Sequence, residues 1–105
     1  MVLEVKGKKD LSVKIQEAGN KLVVIDFFAD WCGPCKQIAP QIEEMEAEYS
    51  NVVFLKVDVD ENEEISEEYQ ITAMPTFFFI KNGNKLDFFT GANVTKLKLT
   101  INKYV

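Results

Sequence analysis

The sequence predicts an α/β fold: a mixed five-stranded sheet flanked by four helices. Three observations carry the prediction. Apolar runs of strand length alternate with stretches of helical periodicity, the pattern of parallel strands joined by right-handed crossovers. The last two strand-like runs meet at Asn82-Gly83, a strong hairpin signal that adds an antiparallel edge. With 105 residues and 47% apolar content, residues 1–105 make one ordinary domain with material for a core.

Val2–Val5 reads as a short strand. Lys8–Ala18 reads as a helix, with Leu11, Ile15 and Ala18 on one face and Gly19 as its stop. Leu22–Phe28 is a nearly continuous apolar strand, which suits a central position covered on both faces. A helix then runs from near Cys32 to about Tyr49. Ile38, Ile42, Met45 and Tyr49 form its buried stripe. Pro34 fits the first turn, where a missing N–H is harmless, and Pro40 is expected to kink the helix. Val52–Val57 is a strand, and Glu63–Tyr69 a short helix with Ile65 and Tyr69 inward. Thr76–Lys81 and Lys85–Thr90 form the hairpin. Val94–Tyr104 closes the chain as a helix, with Val94, Leu97, Ile101 and Tyr104 inward. Phenylalanines fall in runs, Phe27-Phe28, Phe77-Phe78-Phe79 and Phe88-Phe89, as expected of strands packed on both faces.

Net charge is −5 and every basic residue is Lys. With no Arg and no basic cluster, a nucleic-acid footprint is absent. No apolar run approaches the ~20 residues that span a bilayer, and Met1–Lys6 lacks the apolar stretch of a secretory signal. The expected location is cytoplasmic, with the nucleus open. The acidic run Asp58, Asp60, Glu61, Glu63, Glu64, Glu67 and Glu68 reads as a solvated loop and helix face.

The chain has two cysteines, Cys32 and Cys35, and no His. In a reducing compartment, cysteines this close together more often bind metal or do redox chemistry than form a structural bridge. A structural zinc site wants four Cys or His ligands, so one chain supplies only half of one. Cys32 lies where a strand gives way to a helix. Unpaired N–H groups and the helix dipole stabilise a thiolate there, below the free pKa of about 8.5. Cys35, one helical turn on, can reach the Cys32 sulfur. These features describe a nucleophile that attacks a partner's disulfide and a second thiol that resolves the mixed disulfide. Asp26 sits among Val23, Val24, Ile25, Phe27 and Phe28, where desolvation should raise its pKa. In open sheets of this kind, sites gather beyond the carboxyl ends of strands. That is where Cys32 falls.

The run Phe27-Phe28-Ala29-Asp30-Trp31-Cys32-Gly33-Pro34-Cys35-Lys36 is accompanied by Asp26, Met74-Pro75-Thr76, the Asn82-Gly83 hairpin and Gly91-Ala92. Together they resemble the thioredoxin family over essentially the whole chain. The resemblance implies the thioredoxin fold and a protein-disulfide reductase with Cys32 as nucleophile and Cys35 as resolving thiol. It assigns Asp26 to proton transfer as general base for Cys35, and makes Lys56 similar to the lysine that partners this aspartate in some members. It also implies a cis Met74-Pro75 bond that lays the Met74 backbone beside Cys32. Trp31, Gly33, Pro34, Met74, Pro75, Gly91 and Ala92 would then line a shallow groove for an extended substrate segment. Asp60 would border the groove, and Lys36 would lend it positive potential.

No bound cofactor is implied. The redox-active Cys32–Cys35 pair would be reduced by an NADPH-dependent thioredoxin reductase. Partners would be that reductase and disulfide-containing proteins such as peroxiredoxins, met by a monomer. Gly33-Pro34 adds no charge beside the thiolate, and a less stabilised dithiol is the better reductant. Some animal members carry extra cysteines where this chain has Asn62, Tyr69 and Ala73, so thiol-based regulation or dimerisation is not expected. Two other readings stay open on sequence: a docking module in which the redox couple is incidental, and a four-cysteine metal site shared between two chains.

Overall fold

The computed structural model describes residues 1–105. Its elements follow in the order β1 (Leu3–Glu4), α1 (Lys8–Glu17), β2 (Leu22–Phe28), α2 (Gly33–Glu48), β3 (Val52–Asp58), α3 (Glu63–Glu68), β4 (Thr76–Lys81), β5 (Asn84–Thr90) and α4 (Val94–Tyr104). Most boundaries agree with the sequence reading to within a residue. The largest difference is β1, which keeps only two of the four residues expected, although Val2 and Val5 are both buried and the Val5 N–H still donates to the Lys56 carbonyl at 2.9 Å.

The strands lie in the order β1-β3-β2-β4-β5. β2 is central, parallel to β3 and antiparallel to β4. Being hydrogen-bonded on both edges and covered on both faces, it tolerates almost no solvent, which is why its sequence is almost wholly apolar.

Its side chains alternate between two cores, as the period of two requires. Leu22 and Val24 join Ile38, Ile42 and Met45 of α2 and Leu97 and Ile101 of α4 in one. Val23, Ile25 and Phe27 join Leu11, Ile65 and Tyr69 on the other side. Phe27, Tyr69 and Phe78 meet there at 4.9–5.7 Å between ring centroids, the spacing of favourable aromatic contacts. The alternation has a consequence for Asp26. It follows Leu22 and Val24 on the α2 side, and its partner in register on β3 is Lys56.

Helix α2 runs unbroken through Pro40. The β4–β5 hairpin turns on the two residues Asn82 and Gly83, with φ of 53° and 77°. Positive φ at both positions is what the tight primed turn demands. Further along, Ile80 pairs with Lys85 while Phe79 pairs with Asp87. Leu86 is therefore left over as a bulge, which increases the local twist.

A Cβ added at Gly83 would meet nothing within 4 Å, so Gly83→Ala tests backbone strain alone. The left-handed conformation should cost about 1–2 kcal/mol. A urea titration should show a lower midpoint with an unchanged slope.

Candidate active site

Cys32 caps the N-terminus of α2. Its backbone is extended, with φ −85° and ψ 109°, and its N–H donates to the Ala29 carbonyl at 3.1 Å. The Cys35 N–H points back to the Cys32 sulfur at 3.2 Å, and the Lys36 N–H donates to the Cys32 carbonyl at 3.2 Å. The first donors of α2, which no earlier turn can satisfy, are thus turned toward this residue. The two cysteines form a disulfide, with Cα atoms 5.3 Å apart. Each is only 5% exposed. Ala29 completes their small apolar cluster, and Phe28, Val59 and Met74 pack against it.

Beneath the disulfide lies a cavity of about 150 Å³, lined by Asp26, Phe28, Ala29, Asp30, Cys35, Lys36, Ala39 and Lys56. Asp26 is 8% exposed, and its Oδ1 has no hydrogen-bond partner. Desolvation pushes its pKa up to about 7, and the Lys56 ammonium partly opposes the rise. A buried carboxylate oxygen left unpaired is rare in a folded chain. Asp26 shares its cavity with Cys35.

On the outer side, Trp31 is 69% exposed. Its indole N–H donates to the Asp60 carboxylate at 2.9 Å. Gly33 and Pro34, in the first turn of α2, are also exposed. The Met74-Pro75 bond is cis. The Gly91 N–H, at a φ of 119°, donates to the Pro75 carbonyl at 2.9 Å, and Ala92 follows it on the surface. Thr76 holds the segment from the other side, donating to the Ala73 carbonyl at 2.6 Å and meeting the Thr90 hydroxyl at 3.0 Å.

The expected residues therefore form two groups. Asp26, Cys35, Lys36 and Lys56 share the cavity, while Met74, Pro75, Gly91 and the Trp31–Asp60 pair lie around the disulfide side. Two expectations need correction. The Phe88-Phe89 run is not packed on both faces: β5 is an edge strand, and Phe88 is 60% exposed. Asp58 is not part of a solvated acidic face: it is 4% exposed, and its Oδ1 accepts from the Asp60 N–H at 2.9 Å. Its carbonyl accepts from Asn62, which in turn holds the Gly7 N–H. Asp58 shapes the turn that presents Asp60 to Trp31. The rest of the run is exposed as expected.

Val59 was missed by the sequence reading. The signal was its position as the single apolar residue within Asp58–Glu61. No group of three or more His, Cys, Asp or Glu side chains is placed to hold a metal ion. The larger open groove beside Lys8, Ile15 and the hairpin turn lies at the far end of the sheet and is lined by neither cysteine.

Four similarities to known proteins bear on this geometry. The thioredoxin family model matches residues 2–103. Thioredoxin-T of Drosophila melanogaster is 55% identical over 105 residues, covering 99% of this chain and 67% of that protein. The X-ray structure of Fasciola hepatica thioredoxin superposes with a TM-score of 0.97 at 49% identity, covering 99% of this chain and 100% of that one. A chain from a structure describing thiol resolution in yeast mitochondrial 1-Cys peroxiredoxin by glutathione and thioredoxin systems matches with a TM-score of 0.89 at 36% identity. That match covers 97% of this chain and 94% of the other.

Asp26 fixes a pH dependence. In the folded chain it holds its proton up to about pH 7, against an ordinary carboxyl value of 3.8. Between those values the folded state binds the extra proton. Its contribution is complete below about pH 3.8 and is lost as pH rises to about 7. Asp26→Asn, which cannot titrate, should gain on the parent by about 1.4 kcal/mol per pH unit across that window, and on the order of 4 kcal/mol in all. Urea unfolding of both proteins from pH 4 to 8 measures the gap. A gap that stays constant with pH would mean that Asp26 ionises like an exposed carboxylate.

Proposed function

The chain belongs to the thioredoxin family of thiol–disulfide oxidoreductases, and from that premise we propose how its residues divide the work of reducing a disulfide in a partner protein. The reduced Cys32 thiolate, stabilised by the N-terminus of α2 and by the Cys35 N–H, attacks one sulfur of the partner's disulfide. A Cys32–partner mixed disulfide forms, and the partner's other sulfur leaves as a thiolate. Asp26 takes the proton of Cys35 through the shared cavity. Cys35 then attacks the Cys32 sulfur and releases the partner's second thiolate. Two electrons have passed to the partner, and the Cys32–Cys35 disulfide remains. The observation that carries this reading is the unpaired, raised-pKa carboxyl of Asp26 in one cavity with Cys35.

Positioning falls to the groove. The Trp31–Asp60 hydrogen bond fixes one wall, and Met74, Pro75, Gly91 and Ala92 form the other. An extended partner segment would lie between them, pairing with the Met74 backbone. Gly33 and Pro34 keep the redox turn free of charge, which favours the direction of reduction. Lys36 lends positive potential at the mouth of the cavity, and Lys56 tunes the proton affinity of Asp26.

The chain holds no cofactor of its own in this reading. We assign its re-reduction to an NADPH-dependent thioredoxin reductase and its outflow to disulfide-containing proteins, peroxiredoxins among them. The pairing of a similar chain with peroxiredoxin chemistry supports that choice. No helix is long and apolar enough to cross a membrane, and the cytoplasm, with the nucleus, is the compartment we propose. Residues 1–105 act as one domain and as a monomer.

Cys35→Ser removes the resolving thiol and should accumulate a covalent complex with a disulfide-bonded protein substrate. The complex should be visible on a non-reducing gel and vanish with dithiothreitol. If no adduct forms with any such substrate, the assigned roles are wrong. Lys56→Met should raise the apparent pKa of Asp26 further, because the opposing ammonium is gone. The pH profile of the resolving step should then shift alkaline, and a shift toward acid would exclude Lys56 as the tuning group.

A further inference from the structure

The chain has three methionines, in three different settings. Met45 is 1% exposed, sealed between α2 and the sheet. Met1 is 82% exposed, far along the chain from the site. Met74 alone is half-buried, and its side chain packs on the Ala29–Cys32–Cys35 cluster. It therefore brings an oxidisable thioether to the redox centre itself.

We propose that Met74 is a modification site at which hydroperoxides switch the groove off, and that the switch acts on the disulfide form of the chain. The proposal rests on the reading that this groove receives substrate. The thioether sulfur attacks the O–O bond of a hydroperoxide. An S–O bond forms, the O–O bond breaks, and the peroxide leaves as an alcohol, or as water from hydrogen peroxide. The sulfur loses two electrons and becomes a sulfoxide, which a methionine sulfoxide reductase can reverse.

Redox state selects the target. In the dithiol form the Cys32 thiolate competes for the peroxide, and Cys35 returns the product to the disulfide. In the disulfide form both thiols are spent and the chain has no others. Met74 is then the accessible reductant at the groove. Its sulfoxide would be a polar group set against the apolar Ala29–Cys32–Cys35 cluster on which the Met74 side chain packs. Burying such a group is unfavourable, so the side chain swings out and the groove loses the wall it presents to an extended segment. A pool of chain that stays oxidised under peroxide is thereby taken out of use until it is repaired.

The test treats the full chain in its disulfide form with hydrogen peroxide and removes the peroxide with catalase. It then follows two readouts: peptide masses at Met1, Met45 and Met74, and kcat/KM for a model protein disulfide after re-reduction. The expected result is a 16 Da gain at Met74 and not at Met45, with kcat/KM about tenfold lower. Methionine sulfoxide reductase should restore the rate. Met74→Leu, judged against its own untreated rate, should lose nothing. A single equivalent of peroxide given to the dithiol form should be consumed at the cysteine pair, leaving Met74 largely unmodified. Met74 unmodified while Met1 is fully oxidised would overturn the proposal, as would complete Met74 sulfoxide with an undiminished rate. An untreated chain that reduces no protein disulfide would sink the functional reading, and the regulatory claim with it; the mass shift separates that failure from the first two.

Discussion

Everything in this molecule hangs on β2 being closed to water on both faces. A strand hydrogen-bonded on both edges, with helices above and below, alternates its side chains between two cores. Leu22 and Val24 go to one, and Val23, Ile25 and Phe27 to the other. The same alternation sends Asp26 under α2, into a position that by rank belongs to a core side chain. It also delivers the chain, at the end of β2, to the point where α2 begins. The buried acid and the capping cysteine thus come from one strand and its exit, and their relative placement needs no further device.

The fold was legible because its signals are local and strong. The apolar run of β2, the stripe Ile38–Ile42–Met45 and the Asn82-Gly83 turn each admit one assignment. The short strand β1 was harder to bound, because its two buried ends, Val2 and Val5, flank only two paired residues. In the site, Cys32, Cys35 and the burial of Asp26 could be read from residue type and neighbours. The cis Met74-Pro75 bond could be anticipated only from a family resemblance, since the general frequency of cis X–Pro bonds is about 5–6%. Asp58 defeated the reading for a physical reason. Composition registers charge, whereas the burial of Asp58 comes from a turn whose partners, Asp60 and Asn62, are ordered by the same tertiary packing. Val59 and its contact with the cysteines depend on that turn as well.

The cavity beneath the disulfide reverses the usual relation between burial and stability. A carboxyl that must give up water to be there weakens the fold whenever it ionises. Lys56, opposite it in register, limits that penalty without forming a hydrogen bond that would fix the proton. Had Lys56 closed on Asp26 as an ion pair, the carboxylate would be held charged and no longer poised near neutrality. Burial sets the affinity of Asp26 for its proton, and Lys56, placed opposite it by the register of the sheet, trims that affinity from a distance.

Trp31 is the only tryptophan in the chain. It is held at the surface by Asp60 and stands next to Cys32 in sequence. An indole neighbouring the redox-active pair in sequence should change its emission when the disulfide opens, an outcome that steady-state fluorescence during reduction checks. The chain therefore carries its own optical gauge of oxidation state, calibrated by a single fluorophore against a single sulfur pair. Its redox equilibrium can be followed in real time with no label attached.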